Sequence, residues 1–378
     1  MIVCTRDSAR RQGDRGAITI WGVDRQSKSE DALIAWIRSR CPAAGGDLPI
    51  GIGDDMAMVT CGEERFLVTS DMLMDGVDFD TKVHSPARVG RKALAVSLSD
   101  CAAMAVRPRW AMVSVALPNA WTMAQARELY EGIETLARRY EVTLIGGDTN
   151  SWDKPLVVDL TVIAEQWEMS NEREQGTGNR EQNRQIDPVR RSGMQPGDLI
   201  VVTGLLGGSI LGHHMDFEPR VMEAKWLAED LGDALHAMID LSDGLSTDAH
   251  RLAAASECGI ELNPKKVESA ASDAATELAR KDGRTVLDQI LNDGEDFELL
   301  FAVEPGAWEE LEKRRNVETS KRRNEVAQGL TPETMAARVI GRAIAGAGVW
   351  FRNADGSTTA IEPRGWQHFV DEGPGNRE

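Results

Sequence analysis

Apolar positions along the chain switch between helical and alternating spacing. From Glu30 to about Arg40, Leu33, Ile34 and Ile37 share a face and predict a helix. Met56 to Thr60, Phe66 to Thr69 and Ala111 to Leu117 predict strands, the last with Val113, Val115 and Leu117 alternating. Between them, Pro86 to Met104 predicts a helix whose small residues (KALAVSLSDCAAM) suit close packing. Thr122 and Gln125 form a capping-box signature ahead of an apolar stripe of Met123, Ala126, Leu129, Ile133, Leu136 and Tyr140. Short strands follow at Val142 to Ile145 and Pro155 to Ala164.

The pattern then lapses. Glu168 to Asp187 (EMSNEREQGTGNREQNRQID) has almost no apolar residues and cannot bury a core, so it is expected to be a mobile insertion. Past Gly193 the pattern resumes, with strands at Leu199 to Thr203, Phe297 to Val303, Val339 to Ile344 and Val349 to Arg352. Helices are expected at about Val221 to Leu235 and Thr247 to Glu257. The charged run Glu309 to Ala327 reads as a solvated helix or loop. The expected organisation is a polar leader (1–27), an N-terminal domain (28–166), an insertion or linker (167–192), a C-terminal mixed α/β domain (193–370) and a tail (371–378).

Composition narrows the function classes. A chain of 378 residues exceeds the usual single domain, and 42% apolar content supports folded cores. A net charge of −18 argues against a nucleic-acid partner, which draws on clustered Lys and Arg. No run approaches the roughly 20 apolar residues of a membrane span, and the polar first residues lack a signal-peptide core, so a cytoplasmic protein is expected. The five cysteines are widely spaced, with no C-x-x-C pair, and read as reduced thiols.

Six acidic motifs carry the candidate chemistry: GIGDD (Gly51 to Asp55), TSD (Thr69 to Asp71), SLSDCAAM (Ser97 to Met104), GGDT (Gly146 to Thr149), DLSDG (Asp240 to Gly244) and DGEDFELL (Asp293 to Leu300). Each sets Asp or Glu beside Gly, Ser or Thr at the end of an apolar segment. Such oxygen-rich sites suit hard divalent cations that join carboxylates to nucleotide phosphates. Singly, each motif also has a bland reading as an ordinary turn, strand end or helix cap, with GGDT and DLSDG the stronger signals and GIGDD and TSD the weaker. Asp100 stands out, because it interrupts a small-residue helix that should be buried, and a buried carboxylate needs a cation or several hydrogen bonds. VTGLLGGS offers glycine amides but lacks the lysine of a P-loop.

Together, the order and spacing of the motifs resemble the thiamine-monophosphate kinases, within the aminoimidazole ribonucleotide synthetase-like superfamily. SLSDCAAMAVRP, LIGGDT and IDLSDGL carry the resemblance, with RRSGMQPGD (Arg190 to Asp198), FEPRV (Phe217 to Val221) and GWQHF (Gly365 to Phe369); it covers about Glu30 to Phe369. It implies an α+β, two-domain aminoimidazole ribonucleotide synthetase-like fold whose N-terminal sheet and helix domain dimerises. It also implies ATP-dependent phosphorylation of thiamine monophosphate with several Mg2+ ions. Carried over, Asp54, Thr69, Ser70, Asp71, Asp100, Asp148, Asp240 and Asp243 would hold the metals. Tyr130, Gly147, Arg191 and Ser242 would contact ATP, and Glu295 and Trp366 would face the thiamine portion.

The chain departs from the family pattern at four places: Asp78 stands where the family has His, Asp293 replaces the Gly of GGED, Phe297 replaces Tyr and Ala105 replaces Gly. Asp78 is expected to lie toward the cationic thiazolium ring, or else merely to cap its turn. The departures bear on the acceptor more than on the reaction. A superfamily relative with another acceptor, or a non-catalytic ATP- and metal-binding sensor, are the alternatives.

Overall fold

The computed structural model describes residues 30–41, 44–169, 185–321 and 336–365. The expected leader and tail, and most of the polar insertion, lie outside the described residues. Helix α1 (Glu30–Arg38) forms as the periodicity predicts. It belongs to a unit separate from Ala43–Trp366, with Leu33 and Trp36 exposed and the Arg40 guanidinium 4.4 Å above the Trp36 ring.

The larger unit holds two sheets. The first comprises β1 (Ala57–Cys61), β2 (Glu64–Met74), β3 (Arg107–Pro118), β4 (Thr143–Trp152) and β5 (Val157–Glu165) in the order β1-β2-β5-β3-β4. Only β3 and β4 run parallel; the other pairs are antiparallel. Leu67, Leu73, Ala111, Val113, Leu160 and Val162 fill the inner face. Against that face lie α2 (Pro86–Ala103) and α3 (Met123–Arg139). Ser85 caps α2 with Pro86 at its first position, and the Thr122/Gln125 box caps α3 from both sides.

The crossing of α2 and α3 is closer than ordinary side chains allow. A Cβ on Gly90 would meet the Leu129 carbonyl oxygen at 2.0 Å, and one on Gly132 would meet that of Ala87 at 1.9 Å. Two glycines, one per helix, let the backbones touch and seat α2 deep in the core.

The second sheet contains β6 (Leu199–Val202), β7 (Leu235–Asp240), β8 (Gly259–Leu262), β9 (Leu299–Val303), β10 (Arg338–Ile344), β11 (Val349–Arg352) and β12 (Thr358–Ile361), ordered β12-β11-β8-β10-β6-β9-β7. Helices α4 (His213–Asp216), α5 (Val221–Leu231), α6 (Leu245–Ala255), α7 (Pro264–Glu268), α8 (Asp273–Asp282), α9 (Val286–Asn292) and α10 (Pro305–Lys321) complete it. Alternation splits this sheet between two cores. Met238, Leu299 and Phe301 join the core shared with α2, whereas Ala237, Ile239 and Leu300 face α6 and α9. Helix α2 is therefore buried between the two sheets, and its C-terminal half meets the end of β7.

Several boundaries differ from expectation. The strand expected at Phe66 to Thr69 runs on to Met74, so TSD lies inside β2 rather than at its end. GGDT likewise lies within β4, a ten-residue edge strand. Residues flanking the polar insertion pack: Ile186 and Val189 are buried, and the Val189 amide donates to the Met104 carbonyl at 3.0 Å. Among the described residues, no helix is long and apolar enough to cross a membrane.

Candidate active site

Strand alternation decides which parts of TSD meet α2. In β2, Thr69 and Asp71 point inward with the buried Leu67 and Leu73, and Ser70 points outward. On α2, Ser97 and Asp100 lie three residues apart on one face, with Ser99 beside them. The Ser97 hydroxyl donates to Asp71 at 2.7 Å, and the Thr69 hydroxyl donates to Asp100. From the far side, Asp240 at the end of β7 accepts from the Ser99 hydroxyl at 2.6 Å. The turn before β1 adds Asp55. Carboxylate oxygens of Asp55, Asp100 and Asp240 lie within 4.8 Å of one another.

Burial and mutual repulsion dominate the charge state of this cluster. Burial pushes Asp71 up to about 6 and Asp240 to about 8, each opposed in part by its serine hydroxyl and raised further by neighbouring carboxylates. Asp100 is driven well above the ordinary carboxylate range by burial, then by Asp71, Asp240 and Asp55. Oxygen-only donors that repel one another when ionised form the chemistry that Mg2+ or Mn2+ satisfies, so the residues present fit a hard divalent ion.

Arg191 closes the cluster. Its guanidinium forks onto the buried Asp55, with Nε at 3.1 Å and Nη2 at 2.5 Å, while its backbone N–H donates to Asp54 at 3.0 Å. Asp54 also takes Arg190 at 3.4 Å and stands beside the cluster rather than within it. Just past β7, Asp243 pairs with Arg251, which also holds the buried Asp248 at 2.9 Å. The Ser242 carbonyl accepts from the Glu295 amide at 2.6 Å, tying DLSDG to DGED.

DGED in turn occupies the glycine loop. Asp296 accepts from the Gly207 amide at 2.8 Å, Asp293 from the Gly208 amide at 2.7 Å, and the Ser209 hydroxyl donates to the Gly294 carbonyl at 2.6 Å. The amides that would make VTGLLGGS a phosphate cradle are thus spent on these carboxylates. Asp293 also pairs with Arg284 at 2.9 Å, which gives the departure from GGED a structural role.

Other candidate residues sit elsewhere. Ser70 faces outward, 3.0 Å from Thr161 and 3.4 Å from Asp159. Asp148 pairs in register with the outward Ser114 and is exposed. Neither side chain joins the buried cluster. Gly147 is required by close strand packing, since a Cβ there would meet the Val113 carbonyl oxygen at 1.8 Å. Tyr130 lines a shallow hollow of about 270 Å3 with Arg127, Glu131, Glu134 and Leu144, and no cluster residue lines it. Trp366 lies outside the described residues, but Gly365 before it docks on α6, its amide donating to the Thr247 hydroxyl at 3.0 Å. The Asp78 carboxylate accepts from the Met74 amide at 2.7 Å, the turn-capping arrangement. The Asp78 carbonyl and the Glu295 carboxylate meet at Lys92, each 2.6 Å from its ammonium.

Residues 53–165 match the family of AIR synthase related proteins, N-terminal domain. The thiamine-monophosphate kinase of Rhodopirellula baltica is 35% identical over 90% of this chain and 97% of its own length. That of Bacillus subtilis is 33% identical over 70% and 80% respectively. The chain belongs to the thiamine-monophosphate kinase family. The solved structure of AaThiL complexed with AMPPCP and TMP superposes with a TM-score of 0.69 at 25% identity, covering 90% of this chain and 97% of that one. The two-sheet α/β architecture is thus the aminoimidazole ribonucleotide synthetase-like fold expected from the motifs.

Within this family frame, the motifs led to most of the buried carboxylates but not to all of the arrangement. Asp55, Ser97 and Ser99 lie within the motifs but outside the residues that the resemblance assigns, and Asp248 and Lys92 lie outside both. For Asp55 a signal existed in the doubled Asp of GIGDD. For Ser97 and Ser99 the helical spacing to Asp100 was available. Lys92 carried none, since it reads as the polar edge of α2.

Proposed function

We propose that this chain transfers the γ-phosphoryl group of ATP to the phosphate of thiamine monophosphate, giving ADP and thiamine diphosphate. The observation that carries this is the buried, oxygen-only cluster of Asp55, Asp100 and Asp240 within a chain that matches thiamine-monophosphate kinases over most of its length. Mg2+, when bound, supplies the positive charge that lets these carboxylates and the phosphates of ATP coexist.

The protein's own work is placement. Helix α2 holds its own Asp100 between Thr69 of the first sheet and Asp240 of the second, and Thr69, Ser97 and Ser99 orient the oxygens of Asp100, Asp71 and Asp240 by donating to them. Asp71 and Asp243 flank the cluster, and Asp54, Ser70 and Asp148 remain metal candidates by resemblance. Tyr130, Gly147, Arg191 and Ser242 are assigned to ATP, and Asp78, Glu295 and Trp366 to the acceptor. The acceptor phosphate has a second pKa near ~6, so it is largely deprotonated at neutral pH and needs little general-base help. Alignment and charge neutralisation then suffice.

A homodimer through the first sheet belongs to the same proposal, as does a cytoplasmic location. Met72, Met74, Met112, Ile145 and Trp152 are exposed along the strands of this sheet, and β4 is a long, exposed edge strand. Such an edge is ordinarily covered. The non-catalytic alternative loses its support at Asp293, whose carboxylate braces the glycine loop. Steady-state ADP release tests the proposal: it is expected to require both thiamine monophosphate and Mg2+ or Mn2+. Full activity in excess EDTA, or release indifferent to thiamine monophosphate, would overturn it.

A further inference from the structure

Lys92 is a fully buried cation, its side chain 0% exposed, on the helix that also carries Asp100. Eight residues separate the two, about 12 Å along a helix axis. Its ammonium makes two bonds, both of 2.6 Å. One goes to the Glu295 carboxylate of the second half of the molecule, the other to the Asp78 carbonyl in the turn after β2. Neither partner is free to drift. Glu295 has a left-handed backbone (φ 52°) and is tied through its amide to Ser242. The Asp78 turn is closed by its own carboxylate and anchored by the buried Phe79.

A desolvated ammonium is costly and is retained where its partners repay it. Here the partners are two residues assigned to the acceptor: the ammonium bonds the Glu295 carboxylate and the Asp78 backbone carbonyl. The Asp78 carboxylate takes the Met74 amide and acts on Glu295 through its charge, so the set carries one positive and two negative formal charges. Burial pushes the Glu295 carboxyl up, and Lys92 opposes that shift.

We propose that Lys92 is a positioning residue for the acceptor: it locks the Glu295 carboxylate to the Asp78 turn, so that a phosphate ester bearing an organic cation meets a fixed anionic surface a set distance from the carboxylate cluster. This rests on the proposed assignment of thiamine monophosphate as acceptor. It gives α2 two duties, with the Asp100 carboxylate in its C-terminal half and acceptor placement through Lys92 about two turns earlier.

The test compares wild type with Lys92→Met, Lys92→Arg, Glu295→Gln and the double variant Lys92→Met/Glu295→Gln. Lys92→Met is expected to raise KM for thiamine monophosphate about tenfold or more, with KM for Mg-ATP changed less than about twofold, and Lys92→Arg is expected to recover part of the loss. Should Lys92→Met fail to fold, the double variant, which removes the orphaned carboxylate, is expected to fold and to match Glu295→Gln in KM. Equal changes in both KM values, an unchanged KM for thiamine monophosphate, or a double variant far worse than Glu295→Gln would overturn the proposal. If wild type ignores thiamine monophosphate, the acceptor assignment fails. The lock is then read without substrate, from thermal unfolding of wild type, Lys92→Met, Glu295→Gln and the double variant: non-additive losses are expected, and strictly additive ones would refute it.

Discussion

At the scale of single residues, the carboxylate cluster is built for ligand charge at the expense of its own stability. Asp240 is 4% exposed and shares space with Asp55 and Asp100. Asp100→Asn and Asp240→Asn should each lower kcat by at least about 10²-fold, the loss of a few kcal/mol of charge stabilisation. The same changes should raise the melting temperature of the metal-free protein at pH 8, because each removes a carboxylate that repels its neighbours when ionised. Rates by ADP release and melting by scanning fluorimetry check this, and a fall in both quantities would mark the groups as structural. The acidic positions were legible because Asp beside Gly, Ser or Thr recurs along the chain in a fixed order, even though TSD and GGDT lie inside strands rather than at their ends. Their orientation was only partly so. TSD names three consecutive residues, yet the period of a strand sends Thr69 and Asp71 one way and Ser70 the other. In GIGDD the second Asp, rather than the first, enters the cluster, where it meets Asp100 and Asp240 and takes the fork from Arg191, 136 residues away, contacts that no local pattern encodes.

At the scale of elements, the helix α2 sits where it does because two glycines let it approach α3. Replacing Gly90 with Ala puts a methyl group against the Leu129 carbonyl, backbone that cannot swing aside. Overpacking of this kind should cost about 1–3 kcal/mol, measured by urea unfolding, with some loss of activity as α2 shifts. An unchanged midpoint would show that the helices slide freely. Amphipathic periodicity and caps made α2 and α3 readable, and α3 begins where its capping box predicts. Strand β4 was readable only at its start, in the strand expected at Val142 to Ile145, because Gly146, Gly147, Asp148 and Asn150 are turn residues by local preference. Parallel pairing with β3 overrides that preference. The short β8 and β12 and helices α7 to α9 were missed for a related reason. Four to ten residues give too few periods for a pattern, and packing rather than propensity holds them.

At the scale of the whole molecule, light scattering is expected to give about twice the chain mass of 41.4 kDa, and an active monomer would contradict the dimer. Protons and metal should also compete across the entire fold. Asp71, Asp248 and Asp240 are held at about 6, 7 and 8 against an ordinary 3.8, so between those values the folded state keeps protons that the unfolded chain has released. Stability of the metal-free protein must then fall as pH rises through this range, by about 1.4 kcal/mol per pH unit for each full proton of difference. His214 works the opposite way below its ordinary 6.5, because burial lowers it to about 4 and stability due to it rises with pH there. The clean window is therefore pH 6.5 to 8, where the carboxylates act alone among these groups. In EDTA the melting temperature should drop across that window. With saturating Mg2+ the drop should shrink, since a bound cation holds the same carboxylates ionised, and the gap between the two curves should widen with pH. Melting curves that stay flat in EDTA from pH 6.5 to 8, or a metal effect no larger at pH 8 than at 6.5, would mean that the buried cluster is not where the metal binds.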